Sequence, residues 1–344
     1  MQRNFILTDV MKTGNHQDLE DFISMHSMSD QTFDMTGEYF TLHNYDLDSY
    51  DRRFAIIDTR TINLRLTKNK EFYVELNRRV NLLKSQGFVF IKATPWESLH
   101  NIAYEPEYPK IDVDHVKWSG GVSWFWYYMY SKHKDKQYNF DHSEKKYDFL
   151  YLNKNIRGHR QLLFDLMEPL LSNSIYTNWE KGIKLSKEYE LPWAQDYPSM
   201  GMDQDIYEKP YNHTKFSLLS ETNITNNEVF VTEKLWKAIL AQHVFLVHGN
   251  FLYLQKLREM GFKTFGKYFD ESYDQEIHPK QRMEKLRGTC KSLLTKNWQD
   301  IYLQTQSLRK HNLDLFFNSE KLSEQINKTL DLFLEFADRS KISS

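Results

Sequence analysis

Residues Lys215 to Gly249, KFSLLSETNITNNEVFVTEKLWKAILAQHVFLVHG, leave little freedom in how the chain around them folds. The stretch opens on an apolar run, Phe216, Leu218 and Leu219, that stops at Ser220-Glu221. A polar loop, TNITNNE, follows. Past Val231 the apolar residues Leu235, Trp236, Ala238, Ile239 and Leu240 recur at helical spacing, with Thr232 placed to cap them. The chain then returns as Val244-Phe245-Leu246-Val247, an uninterrupted apolar run suited to a buried strand, closed by His248-Gly249. Strand, loop, helix, strand is the unit of a parallel sheet, because neighbours that run the same way need a crossover between them. In such sheets ligands gather at the carboxyl ends of the strands, where helix N-termini present free N–H groups to anions.

Glu233 and Lys234 fall in the first turn of that helix. Two readings stay open. In one, Glu233 complements the helix dipole and Lys234 is a solvated charge. In the other, the carboxylate takes both hydroxyls of a ribose and the ammonium neutralises a diphosphate.

The whole stretch resembles the donor-binding core of the alpha-1,3-fucosyltransferases, glycosyltransferase family 10. There a segment close to K-F-x-L-x-F-E-N-S precedes Y-V-T-E-K-[LI]. This chain has Lys215-Phe216-Ser217-Leu218-Leu219-Ser220-Glu221-Thr222-Asn223, then Phe230-Val231-Thr232-Glu233-Lys234-Leu235. The loop between the halves is longer here, so Thr222 or Asn223 holds the family's asparagine position. Phe230 replaces a tyrosine and keeps only the ring. The resemblance implies a GT-B architecture, two Rossmann-like α/β domains with a cleft between them and C-terminal helices. It also implies a nucleotide-sugar donor, GDP-linked rather than UDP-linked, bound by Lys215, Glu221, Asn223, Phe230, Thr232, Glu233 and Lys234. Transfer would be inverting and metal-independent, with no further cofactor.

The rest of the chain is consistent with that plan. Asn4 to Val10 and Phe54-Ala55-Ile56-Ile57 are strand candidates. A helix is expected from Lys70 to Gln86, stopped by Gly87, before a strand at Phe88-Val89-Phe90-Ile91. Residues 1–140 form the expected acceptor-side domain. Residues 132–146, charged and poor in apolar side chains, are the expected linker. A second domain, 147–295, opens on the strand Tyr147 to Leu152 and runs through a basic loop into the helix Leu162 to Leu171. In the fucosyltransferases that loop carries I-R-N, whose arginine grips the diphosphate; Arg157 occupies the position, and Arg160 follows one helical turn on. Beyond Gly249 a helix from Phe251 to Met260, a further run at Phe262 to Phe265 and a helix capped near Asp274 and ending at Leu294 are expected. Two long amphipathic helices, 298–312 and 319–338, then fill the C-terminal segment, 296–344.

An inverting transferase needs a carboxylate to take the acceptor's proton. Glu97 is the first candidate and Asp58 a weaker one, although Thr94 as N-cap with Glu97 at N3 also fits a capping box. The WFWYY run after Gly120-Gly121 is read as core packing rather than an acceptor platform.

Composition removes other classes. The net charge of −2 gives no global footprint for nucleic acid. Cys290 is the only cysteine, which excludes an internal disulfide and suits a reducing compartment. With no long apolar run and no signal-peptide core, the expectation is a soluble enzyme of a bacterium or of a virus-infected host cell, working in the cytoplasm. Three Asp-x-Asp matches, at 46–48, 112–114 and 203–205, carry little weight, since chance supplies about two in a chain this acidic. The acceptor is a glycan or a hydroxymethylated DNA base. The competing class is a non-catalytic nucleotide- or glycan-binding protein on the same fold.

Overall fold

The computed structural model describes residues 5–9, 33–36, 52–58, 70–94, 115–119, 121–153, 158–178, 180–183, 185–187, 205–222, 224, 229–326 and 328. Its architecture is mixed α/β. Met1–Tyr127 with Glu320–Ser344 make one compact unit and Tyr128–Ser319 the other, so the division falls inside a helix rather than in the 132–146 segment.

The first unit holds five parallel strands, β1 (Phe5–Asp9), β2 (Phe33–Thr36), β3 (Arg52–Asp58), β4 (Val89–Thr94) and β5 (His115–Ser119), in the order β2-β1-β3-β4-β5. Helix α1 (Lys70–Ser85) joins β3 to β4 and buries Val80 and Leu83. Strands β2 and β5 fall where the sequence predicts no strand. Helix α2 (Gly121–His133) follows β5 and buries Phe125, Trp126, Tyr127 and Met129, so Phe125, Trp126 and Tyr127 of the aromatic run are core.

The second unit is built on four parallel strands, β6 (Tyr147–Tyr151), β7 (Ile175–Tyr176), β8 (Thr214–Ser220) and β9 (Val244–His248), in the order β7-β6-β8-β9. From β6 the chain first crosses to β7 on one side and then to β8 on the other. That reversal puts a topological switch point between β6 and β8, where carboxyl ends leave a crevice. Helix α3 (Gly158–Met167) leaves β6, α4 (Glu208–His213) enters β8, and α5 (Glu233–Leu240) joins β8 to β9. Every residue of β9 is buried, as its unbroken apolar run requires.

The segment read as a linker is a packed strap. Tyr138, Phe140 and His142 alternate and stack in sequence, with ring centroids 5.6 and 6.0 Å apart. Its backbone is held by Glu208 and Asn212 of α4, which accept from the N–H groups of Asn139 and Asp141. Its charged residues therefore mark a solvated face, and its period-two aromatics mark the buried one.

Where the strap meets the amino edge of the sheet, basic side chains collect at helix C-termini. Lys145 Nζ donates to Tyr211 O of α4 (3.0 Å) and sits 2.8 Å from His142 Nδ1. His142 Nε2 lies 3.0 Å from Ala241 O, just past α5. Arg309 donates to Gln242 O and to Tyr302 O, and its guanidinium stacks 3.5 Å from the centre of the Tyr302 ring. Neither Lys145 nor Arg309 forms a salt bridge among the described residues. The carbonyl ends of three helices take the place of a carboxylate. The same contact explains Gln242, which adopts the left-handed conformation (φ 48°) at the end of α5. Its N–H bonds Ile239 O and that of His243 bonds Ala238 O, the closure that Gly261 makes after the next long turn. Glycine adopts this geometry freely; here Arg309 holds a glutamine in it.

Beyond β9, helix α6 (Tyr253–Glu259) is capped from a distance by Asp274, whose carboxylate accepts from Leu254 and Gln255 N–H. Asp274 therefore does not start the following helix; α7 runs from Pro279 to Leu294. Phe262 to Phe265 is not a strand. Asn312 accepts from Lys263 N–H and donates to Lys263 O, 2.8 Å each, and so fills the place of a neighbouring strand. The expected single helix over 298–312 is two, α8 (Trp298–Gln304) and α9 (Gln306–Phe316), broken at Thr305, whose hydroxyl bonds back to Ile301 O. Among the described residues no helix is long and apolar enough to cross a membrane.

The buried imidazoles fix how stability depends on pH. Burial, with Lys145 and Arg309 nearby, pushes His142 down to about 3, and burial holds His243 well below its ordinary 6.5. Above pH 6.5 both rings are neutral whether the chain is folded or not. Below it the unfolded chain takes up protons that the folded chain refuses, so stability falls. Lys145, pushed to about 7 by burial and Arg309 against 10.5 unfolded, acts in the same direction at higher pH. Urea unfolding at pH 7 and 5.5 should show a loss of about 1 kcal/mol for each imidazole; a flat profile would contradict the buried neutral rings.

Candidate functional site

At the carboxyl edge of β8 the strand ends on Ser220 and the next residue, Glu221, is fully buried. Its N–H donates to His248 O at the end of β9 (2.9 Å). Its carbonyl accepts from Arg160 Nε (3.3 Å) and lies 3.0 Å from His159 Nε2, both on the first turn of α3. Arg160 also donates to Thr222 Oγ1 at 3.1 Å. The carboxylate faces donors: Oε1 takes Thr232 N–H (3.1 Å) and Tyr253 O–H (2.7 Å), and Oε2 takes the Thr232 hydroxyl (2.6 Å). One buried side chain thus joins β8 to the starts of α5 and α6. Burial and the adjacent Glu221 push the Tyr253 phenol well above its usual value, so it stays a donor.

Thr232 is the N-cap of α5 as its sequence position suggests, and its hydroxyl accepts from Lys234 N–H. Lys234 Nζ donates to Glu233 Oε1 (2.7 Å) and to Thr232 Oγ1 (3.2 Å), which leaves a third ammonium donor. The two side chains are 13% and 17% exposed, enough shelter to strengthen the pair while leaving it reachable. Burial works to raise the Glu233 carboxyl, but Lys234 and then Lys237 outweigh it and hold it below its ordinary value. A charged carboxylate and an ammonium are therefore fixed side by side at a helix N-terminus, on the ligand edge of a parallel sheet.

Five of the residues singled out from sequence, Arg160, Glu221, Thr232, Glu233 and Lys234, are brought together. Phe230 is close by, but its ring is buried and its N–H is held by Asn250 Oδ1 at 3.2 Å. Lys215 is not among them: it begins β8 at the opposite edge and pairs with Asp148 on β6 at 2.6 Å. Arg157, Asn223 and Glu97 lie outside the described residues. Asp58 ends β3 in the other unit. Of the Asp-x-Asp residues, Asp205 pairs with Lys132 and Lys136, and the rest lie outside the described residues. Among the described residues no three His, Cys, Asp or Glu side chains are grouped to hold a metal ion.

Sequence reasoning missed Tyr253 and His159. Gly249 carried a signal for the first. A Cβ there would overlap the Tyr253 ring, 2.9 Å from its Cγ, so glycine is required for Tyr253 to reach Glu221. Compared with known proteins, the chain matches no family model, and no curated protein matches its sequence significantly.

Two substitutions test the Glu221 junction. Glu221→Gln turns one of two acceptors facing three donors into a donor and should cost about 1–3 kcal/mol in urea unfolding. Gly249→Ala must displace Tyr253 and should cost about as much through overpacking. Wild-type stability in both would mean the junction is not formed.

Proposed function

We propose that the chain is a glycosyltransferase that moves a sugar from a nucleotide-sugar donor, GDP-linked in preference to UDP-linked, to an acceptor hydroxyl. The observation that carries this reading is the Glu233–Lys234 pair, set at the N-terminus of α5 by the Glu221–Thr232 clamp. Glu233 would take the ribose hydroxyls, and Lys234 with Arg157 and Arg160 the diphosphate. The sequence resemblance to the alpha-1,3-fucosyltransferases supports the same assignment, and with it the two-domain GT-B layout.

In the proposed reaction the acceptor oxygen attacks the anomeric carbon from the face opposite the leaving group. A new carbon–oxygen bond forms as the bond to the diphosphate oxygen breaks, and the acceptor proton passes to a carboxylate, for which Glu97 is proposed. Negative charge grows on the departing nucleoside diphosphate. Preorganised cations and helix N–H groups lower that barrier, because they need no rearrangement as the charge appears. The acceptor is a glycan or a hydroxymethylated DNA base, and the near-neutral net charge favours the glycan.

The test is turnover on a panel of nucleotide sugars, with EDTA and with added manganese. Release of nucleotide that depends on acceptor and persists in EDTA is expected. Lys234→Ala should weaken nucleotide binding by about 1.5–3 kcal/mol, the range for hydrogen bonds to charged groups. Binding without turnover on any donor would favour a non-catalytic binding protein. Activity lost in EDTA and restored by manganese would overturn the metal-free route.

A further inference from the structure

Just past the end of β9, on the edge of the sheet where ligands gather, a phenylalanine is left in solvent. Phe251 is 38% exposed, and no other phenylalanine, tyrosine or tryptophan among the described residues is exposed to that degree. Single exposed apolar side chains are ordinary; what sets this one apart is how firmly its backbone is held. Leu252, which follows it, has φ 61° and ψ 28°, the left-handed conformation that a leucine adopts only at a cost. That turn is imposed from outside. Asp274 O accepts from Leu252 N–H (2.9 Å), and the Asp274 carboxylate accepts from Leu254 N–H (2.7 Å) and Gln255 N–H (3.0 Å). On the other side Asn250, buried, accepts from Phe230 N–H through its Oδ1 (3.2 Å). The ring is therefore carried by a turn anchored on both sides, and it loses little freedom when something packs on it.

The same hydrogen bonds place the turn relative to the Glu233–Lys234 pair. The Glu221 carboxylate reaches Thr232 at the start of α5 and Tyr253 at the start of α6, so the two helix starts meet across one side chain. Phe230, just before the cap of α5, is bonded to Asn250, the neighbour of Phe251. The first turn of α3 meets Glu221 through its carbonyl instead. In the sheet order, β6, which α3 leaves, and β9, which the aromatic turn leaves, flank β8 on opposite sides. The basic loop and the exposed ring thus lie on opposite sides of the strand whose crossover helix carries Glu233. In a nucleotide the ribose joins the phosphates at one end and the base at the other. With the ribose on Glu233 and the diphosphate towards α3, the base extends towards the turn after β9.

We infer that Phe251 is the seat of the donor's nucleobase, which stacks on the exposed face of the ring while Glu233 holds the ribose. This assignment takes the ribose and diphosphate positions from the donor-site reading above and adds a third point of contact. A flat apolar ring suits the π-face of any base, and the larger face of a purine gains more from it than that of a pyrimidine. The ring therefore acts in the direction of the GDP preference. Stacking on a phenylalanine involves no net charge, so its contribution persists in salt that weakens the diphosphate contacts.

Calorimetry of the full chain with GDP, UDP and inorganic pyrophosphate separates the base from the phosphates. Phe251→Ala should keep the wild-type urea unfolding curve and weaken GDP binding about tenfold. It should weaken UDP less and leave pyrophosphate unchanged. Phe251→Trp should bind GDP at least as tightly as the wild type. The Phe251 ring resonances of labelled wild-type protein give a readout that does not depend on a variant's folding: they should move upfield with GDP and stay in place with pyrophosphate. Unchanged GDP affinity in Phe251→Ala, an equal loss for GDP and pyrophosphate, or ring resonances indifferent to saturating GDP would each overturn the assignment. Full GDP affinity with a raised KM for the acceptor would give the ring to the acceptor and overturn it too. Nucleotide-sugar turnover that does not need Phe251 would sink this inference alone. GDP stacked on Phe251 without turnover of any donor would sink the transferase reading alone.

Discussion

A fully buried carboxylate with three donors pointed at it is an expensive group to disturb, and in the second unit that group is Glu221. It is placed by β8, the central strand of the switch point, and it sets what surrounds the switch. Through Thr232 it fixes the cap of α5 and so the location of Glu233 and Lys234. Through Tyr253 it fixes the start of α6, a contact that only glycine at 249 permits. Through its own carbonyl it receives His159 and Arg160 from α3. The charge is favourable because every partner is a donor; replaced by a neutral amide, the same packing would bury a mismatch.

Helix α5 connects this junction to the opposite edge of the sheet. Its N-terminus is held by a buried acid acting on the cap, and its C-terminus by Arg309 and His142 on the last carbonyls. Only eight residues long, it has too few internal bonds to be stable alone. Both ends are therefore supplied by other elements, and Trp236, Leu235 and Ile239 are driven into the core between them. The strain of Gln242 is tolerated for the same reason, since Arg309 binds its carbonyl only when the chain turns there.

What the sequence revealed follows from which signals are local. The strands Tyr147–Tyr151, Thr214–Ser220 and Val244–His248 and the cap at Thr232 were legible, because apolar runs and cap chemistry are written within a few residues. The strap was not. Its Tyr138, Phe140 and His142 alternate correctly for a half-buried extended segment, but interleaved lysines and aspartates outweighed them in a reading based on composition. By sequence Asp274 falls at the start of the helix that follows it; in three dimensions it caps one that precedes it by about twenty residues. The resemblance likewise joined Lys215 to the site because the two share a motif. At about 3.3 Å per residue, six residues of extended strand put it about 20 Å from Glu221, and Asp148 already neutralises it. A motif records what lies along one strand, not which of its ends meets the ligand.

Both edges of the four-stranded sheet gather basic side chains, and the edges differ in the sign of the helix ends beside them. At the amino edge Lys145, His142 and Arg309 face Tyr211, Ala241, Gln242 and Tyr302 carbonyls, which are helix C-termini with the negative end of the dipole turned towards the cluster. That edge is complete within the chain. At the carboxyl edge His159, Arg160 and Arg282 also bond carbonyls, those of Glu221, Ile224 and Glu276, but the helix ends beside them are the N-termini of α3 and α5. The dipoles there have the same sign as those basic side chains, and the Glu221 carboxylate already accepts from Thr232 and Tyr253. The edge of the sheet that presents donors to an anion is therefore set by the direction in which the strands and helices run, and not by a motif alone.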